Sequence, residues 1–269
     1  MPSGYLTRSV FQKTLRDQLV AVLGWGLGLG VVAWLTVLLY PAIGDQFKAY
    51  DELLTSMPAV TSFLGNVASL GTLEGYIVYG LLSYVPLVLG FYSVLAAIGT
   101  IGGEIESGTM DFLLMHPVPR WRVVVEKALA LTISLVAIGL LLGVGLWLGG
   151  LGISSDISAG SWLLAGLNVV PLTLFYGALA LAVSCAARGR QAAVGVGFGV
   201  LLLSFIANGL IPLVKSLEPY REVSLYYLYA ASKPLSTGVR ADHVAALLAA
   251  SLALFAVGVL AFQRRDMLA

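Results

Sequence analysis

Few residues in this chain are of a type that carries out catalysis or binds metal. There are two histidines, His116 and His243, and one cysteine, Cys185, which is too few for a disulfide or a thiolate metal site. Neither an HExxH metal motif nor a GxSxG nucleophile elbow occurs. The charge pattern places His116 and His243 on opposite sides of a membrane, so they could not share a metal ion or a catalytic triad. We therefore expect no catalytic residue, no metal site and no cofactor in this chain.

Seven charged residues lie in one short island, residues 102–127, which read GGEIESGTMDFLLMHPVPRWRVVVEK. Long apolar runs precede and follow it. Ser107, Gly108 and Thr109 predict a turn that caps a short helix, and Pro117 and Pro119 predict its end. The helix would present Phe112, Leu113 and Leu114 to water, which indicates a groove on a partner protein. Alternatively, it lies in the membrane interface or packs under the bundle.

The composition indicates an integral membrane protein. Hydrophobic residues make up 59% of the 269 residues and charged residues 11%, whereas a soluble domain has about 25% charged residues. The net charge of +1 favours no nucleic-acid partner. Because a bilayer-spanning helix needs about 20 apolar residues, the charge-free windows predict an all-α fold with six transmembrane helices. Their predicted ranges are 19–40, 76–103, 123–150, 161–186, 191–214 and 243–263. The first is expected to be retained and not cleaved as a signal peptide.

The distribution of Lys and Arg predicts the orientation of these spans. Ten of the 15 lie on the side that holds both termini. They are Arg8, Lys13, Arg16, Arg120, Arg122, Lys127, Arg188, Arg190, Arg264 and Arg265. The positive-inside rule therefore places both termini and the charged island in the cytoplasm, for a multi-pass protein of the plasma or inner membrane.

Three flanking segments are predicted to form short helices or belts at the membrane surface. Residues 5–20 have an apolar face and a charged face, which predicts a cytoplasmic amphipathic helix. Outside, Asp45 and Pro58 are expected to begin and end another helix, either a lid or a passive interfacial segment. Residues 215–242 are rich in tyrosine, which favours an aromatic belt or, alternatively, a short re-entrant helix.

The interior of the predicted bundle contains small and uncharged residues. No Asp, Glu, Lys, Arg or His lies in the charge-free windows, which argues against an ion-coupled carrier. These windows are residues 18–44, 75–103, 128–155, 157–187, 191–214 and 244–263. GxxxG pairs occur in the first, third and fifth spans, and such pairs let helices approach closely within one chain or between two copies. The scattered polar residues favour an amphipathic or lipid-like cargo over bare ions. They are Ser83, Tyr84, Thr132, Ser134, Asn168, Tyr176 and Asn208.

The charged island resembles the signature of ABC-2-type permeases, the membrane subunits of type V ABC transporters. The residues that match the family pattern are Glu104, Glu106, Gly108, Thr109, Leu113, Leu114, Pro117, Arg120 and Lys127. Trp121 and Arg122 depart from it, since many relatives have smaller residues there. The number and order of the spans agree with the family along the chain, which would then be one transmembrane domain, residues 1–269.

The resemblance implies a permease subunit without a motor of its own, and the sequence contains no GxxxxGK[ST] phosphate loop. ATP and Mg would be bound by separate ABC ATP-binding subunits, which would dock on a coupling segment, residues 104–122, through Phe112, Leu113 and Leu114. Glu104, Glu106, Arg120 and Lys127 would hold the angle of that segment through ion pairs and contacts with lipid headgroups. Two permease copies, in a homodimer or a heterodimer, would meet at spans one and five, where Gly24, Gly28, Gly195 and Gly199 lie. The family mostly exports its cargo. The alternative is an accessory membrane protein or passive channel that works without an ATPase.

Overall fold

The computed structural model describes residues 10–55, 71–106, 119–153, 155–187, 190–211, 224–230 and 232–264, with the backbone alone at 45, 47–55 and 104–106. Within these ranges the chain forms helices and turns, with no strand longer than the single bridge between Lys233 and Gly238. The helices α1 to α9 run Val10–Thr55, Leu73–Ile77, Val85–Glu106, Arg120–Gly150, Ala159–Leu167, Val169–Ala186, Arg190–Leu210, Leu225–Ala230 and Ala241–Arg264. A π-helix, Val78–Leu82, joins α2 to the turn before α3.

In the part of the chain that the structure describes, six stretches are long and apolar enough to cross a membrane, which confirms the predicted all-α membrane fold. We number them span 1 to span 6: Val10–Gly44, Leu73–Gly103, Arg120–Gly150, Ala159–Ala186, Arg190–Leu210 and Ala241–Arg264. Each overlaps the range predicted from the charge-free windows.

Helix α1 is longer than the sequence pattern predicts. It runs without a break from Val10 to Thr55, with Pro41 inside it, so Asp45 lies within a helix and does not begin a new one. The prediction that Asp45 is an N-cap is therefore wrong. A proline removes only its own N–H, whereas stopping the helix there would leave four carbonyl groups without partners. The described part of the amphipathic stretch, from Val10 onward, belongs to the same helix as the rest of span 1. Pro58 lies outside the described residues.

Span 4 lies at the centre of the bundle. In its most apolar window 78% of the residues are buried, against 28% in span 1, 22% in span 5 and 17% in span 6. It consists of α5 and α6, which meet at Asn168, because Pro171 has no N–H to continue the helical hydrogen bonds across that point. Helix α6 is apolar on all sides and packs against spans 2, 3, 5 and 6. Spans 1, 5 and 6 therefore present most of their surface outward.

Span 1 packs chiefly along span 3, and the two run in the same direction. Span 2 packs against spans 4 and 5. Ring contacts place span 2 between its neighbours: Trp25 of span 1 lies 6.1 Å from Tyr92, and Phe198 of span 5 lies 4.9 Å from Phe91, measured between ring centroids. Spans 1, 2 and 5 thus adjoin on one side of the bundle.

Candidate functional site

The predicted coupling segment joins the end of α3 to the beginning of α4. Its central part lies outside the described residues, which leaves the roles predicted for Gly108, Thr109, Phe112, Leu113, Leu114 and Pro117 as predictions. Glu104 and Glu106 lie in the last turn of α3, and Arg120 is the first residue of α4. Pro119 precedes α4 in extended conformation, which suits the residue before a helix. The two flanks of the segment are thus helix ends.

Lys127 connects these two flanks. Its side chain is completely buried, and its Nζ donates a hydrogen bond to the carbonyl oxygen of Thr100 in α3. A buried ammonium group is stable only where it is hydrogen-bonded or paired, because removing it from water is expensive. The contact therefore holds the beginning of span 3 against the end of span 2, just inside the coupling segment. This position differs from a headgroup contact, since the Nζ points into the protein.

Glu126, the preceding residue, makes a contact that the sequence pattern did not indicate. Its Oε2 accepts a hydrogen bond of 2.7 Å from the backbone N–H of Phe11, in the first described turn of α1. Its Oε1 accepts one of 2.7 Å from Nε of Arg122. The Glu126 side chain is 13% exposed and that of Arg122 55% exposed. The pair at i and i+4 is visible in the sequence, but the link to Phe11 depends on how spans 1 and 3 pack.

A second polar contact joins the same two spans deeper in the bundle. Ser134 of α4 donates a hydrogen bond of 2.7 Å to Oε1 of Gln18 in α1, and both side chains are buried. Of the polar residues predicted to face a cargo, Ser134, Asn168 and Tyr176 are buried within the bundle, and Thr132 bonds back to the carbonyl of Ala128. Tyr84 is exposed, and Ser83 and Asn208 are half-buried.

The glycines of spans 1 and 5 divide into an inward and an outward set. A Cβ atom on Gly26, Gly30 or Gly197 would meet atoms of neighbouring spans. On Gly30, for example, it would lie 2.9 Å from the carbonyl oxygen of Leu141. A Cβ on a glycine of the outward set would meet nothing within 4 Å. This set is the one predicted for the dimer seam and consists of Gly24, Gly28, Gly195 and Gly199. In each span one glycine set packs the monomer while the other leaves a shallow surface uncovered.

An uncharged stripe of span 2 lies on the same side of the bundle. Tyr84, Val88, Leu95 and Gly99 are exposed and recur at the spacing of one helical face. Phe91 and Tyr92, which contact spans 5 and 1, flank this stripe. The side formed by spans 1, 2 and 5 therefore combines exposed apolar side chains with glycines that allow close approach.

Helix α8 packs against the N-terminal end of span 2. Because Pro86 has no N–H and Leu87 bonds to Tyr84 instead, the carbonyls of Leu82 and Ser83 lack helical partners. The hydroxyl of Tyr229 donates to Leu82 over 2.7 Å, and that of Tyr226 donates to Ser83. Burial raises the pKa of both hydroxyls, so they remain protonated donors.

The position of α8 distinguishes between the two interpretations of the outer segment. Tyr226 and Tyr229 are buried against span 2 and are not part of a lipid-facing belt. The amide of Asn168 in span 4 contacts the carbonyl of Tyr229 at 3.5 Å, and His243 of span 6 contacts the carbonyl of Leu228 at 3.1 Å. Among the described residues, therefore, the short-helix alternative describes the segment better than the belt. Tyr220 lies outside them.

Comparison with known protein families agrees with the six-span geometry. A family model described as "ABC-2 family transporter protein" matches residues 9–267. A search of curated proteins found no match to this chain.

Proposed function

Because the chain belongs to the ABC-2 family of transporter proteins, and is thus a multi-pass membrane permease component of an ABC transporter, we propose that it works in an ATP-driven exporter. Two permease copies form the path for the cargo, and separate subunits bind ATP and Mg on the cytoplasmic side. The observation that carries this proposal is the match of the family model across residues 9–267. That family consists of membrane subunits without an ATPase domain.

Docking of the motor belongs to the coupling segment in this proposal. The segment follows α3 directly and precedes α4, and the buried Lys127 joins the two helices next to it. A force applied to Leu113 and Leu114 would therefore reach spans 2 and 3 together. Both termini lie in the cytoplasm with the segment, as the Lys and Arg distribution predicts.

Pairing of two copies belongs to the side formed by spans 1, 2 and 5. The open positions at Gly24, Gly28, Gly195 and Gly199 support this assignment, because small residues allow the close helix approach that stabilises contacts in lipid. The stripe of span 2 between them is uncharged and exposed. In a dimer it would form the wall of the path, and an apolar wall suits an amphipathic cargo.

The docking role is tested by placing a charge on the coupling segment. We expect Leu113→Asp or Leu114→Asp to abolish co-purification with the ATP-binding subunit, because a carboxylate in an apolar groove is strongly unfavourable. Both proteins are expressed together, and the ATPase recovered with the tagged permease is quantified on a gel. The matched control is Asp111→Asn, which leaves the apolar residues intact.

The same experiment separates the alternative function. Equal recovery of the ATPase with the aspartate variants would reject docking through this segment. If no ATP-binding subunit from the source organism co-purifies with the tagged wild-type chain, an accessory protein or passive channel is the better explanation.

A further inference from the structure

The coupling segment is continuous with spans 2 and 3 but not with span 1. Span 1 nevertheless carries Gly24 and Gly28, half of the predicted seam between copies. Movement of the segment therefore reaches the seam on span 1 only through contacts between helices. The contacts of span 1 with span 3 are the ones to consider, because these two spans pack along their length.

Spans 1 and 3 are held in one register from the cytoplasmic end outward. Phe11 contacts Glu126 and Gln18 contacts Ser134, with sequence separations of 115 and 116. The same offset relates Gly26 to Leu141, Gly30 to Gly145 and Trp34 to Gly149, where backbones or side chains meet closely. At 1.5 Å per residue these contacts extend over about 35 Å. Because the register is shared over that length, sliding one helix along the other would break all of these contacts.

Glu126 makes the contact of this series that is nearest to the coupling segment. One carboxylate oxygen accepts from the Phe11 N–H, and the other accepts from Arg122 of its own helix. The adjacent Lys127 bonds to Thr100 of span 2. Two neighbouring residues of span 3 are thus fastened to two different spans, one on each side, immediately after the segment that the motor would move.

We propose that Glu126 is a positioning residue that fastens span 1 to span 3, so that movement of the coupling segment reaches the seam on span 1. This inference rests on the proposed function. One carboxylate oxygen faces the exposed Arg122, and the hydrogen bond from the Phe11 N–H to the other holds the cytoplasmic end of α1. The glycine contacts farther out then carry the motion along span 1 to Gly24 and Gly28.

The contact itself is tested on the purified chain by hydrogen exchange. Glu126→Ala removes both acceptors, and we expect amide exchange in the peptide containing Phe11 to rise several-fold. Glu126→Gln keeps an amide oxygen that can accept the N–H, so its exchange should remain near the wild-type rate. Arg122→Gln removes the exposed partner only and serves as the matched control. Unchanged exchange in Glu126→Ala would overturn the inference.

Transmission is tested in the complex with the ATP-binding subunit in lipid nanodiscs. A cysteine at position 28, in a Cys185→Ala background, reports contact between two copies by oxidative crosslinking with and without ATP and vanadate. We expect the crosslinking rate to change several-fold with ATP, and this change to fall by at least half in Glu126→Ala and to recover in Glu126→Gln. A merely structural role would lower the complex yield without altering the response to ATP.

The possible failures are distinguishable. If the cysteine-28 complex crosslinks and responds to ATP equally with Glu126→Ala, the inference is wrong while the proposed function stands. The inference would also be overturned if, in the cysteine-28 complex with Glu126 unchanged, the crosslinking rate did not respond to ATP. If no ATPase co-purifies or no crosslink forms at all, the proposed function fails, and hydrogen exchange alone decides whether Glu126 holds α1.

Discussion

Lys127 illustrates how one charged residue can hold two helices together at the edge of a membrane. Its four-carbon stem is fully buried, while its ammonium group donates to a carbonyl of the neighbouring helix. The transfer of the charge from water is unfavourable, and the hydrogen bond to Thr100 offsets part of that term. Loss of the side chain would leave a cavity and remove the contact between the two helices, although the Thr100 carbonyl would keep its partner within α3.

We expect Lys127→Ala to lower the stability of the purified chain, because truncation of the buried four-carbon stem leaves a cavity, and buried apolar truncations of this size cost about 2–5 kcal/mol. Thermal unfolding in detergent, followed by tryptophan fluorescence, would show a melting temperature several degrees lower. Arg122→Ala is the control, since an exposed ion pair contributes about 0–1 kcal/mol. Equal melting of the two variants would show that Lys127 does not hold spans 2 and 3 together.

Paired helices are the next scale, and the glycines of spans 1 and 3 determine how closely these helices approach. A Cβ on Gly145 would overlap the backbone of Gly30, and a backbone cannot rotate aside as a side chain can. By contrast, a Cβ on Gly99 of span 2 meets nothing within 4 Å. The same substitution at these two positions therefore has opposite consequences.

At Gly145, alanine is expected to push span 1 away from span 3 and lower the melting temperature of the purified chain. At Gly99, alanine should leave the melting temperature unchanged or raise it slightly, because alanine stabilises a helix by about 1 kcal/mol relative to glycine. The measurement is thermal unfolding of both variants in the same detergent. A stable Gly145→Ala protein would mean that the two helices can separate without loss.

Across the whole molecule, the distribution of burial separates an inner core from a side available to a second copy. Span 4 is enclosed, and spans 1, 5 and 6 are mostly exposed. Spans 1 and 5 expose glycines next to the stripe of span 2, whereas Gly258, the one glycine of span 6, is buried against span 4. Close approach of two copies is therefore easier at spans 1 and 5.

Enlarging this side should weaken the pairing of copies. We expect Gly28→Leu or Gly199→Leu to reduce the crosslinked dimer several-fold in membranes at equal expression, because the added side chain holds the two helices apart. Ala256→Leu, an exposed position on span 6, is the control and should crosslink like the wild type. If the yield with Gly28→Leu equals that of the control, these glycines face lipid and the seam lies elsewhere.

Much of the fold could be predicted from the sequence, since composition and charge spacing act locally. Six charge-free windows of sufficient length predict six spans because a bilayer core excludes charge and requires internal backbone hydrogen bonds. The error at Asp45 has a local cause as well. A capping residue favours a helix start but does not require one. The helix continues through Asp45 because a break there would leave backbone N–H and C=O groups without partners.

The sequence by itself determined the membrane class, the number of spans and the charged island between spans 2 and 3, because each follows from the order of residues along the chain. Only the tertiary structure decided which glycines face inward, that Lys127 reaches Thr100, and that Glu126 reaches Phe11. Periodicity locates a stripe on a helix but does not name the helix that covers it. That choice depends on packing between residues far apart in the chain, from 27 positions for Thr100 and Lys127 to 115 for Phe11 and Glu126. Such packing leaves no local pattern.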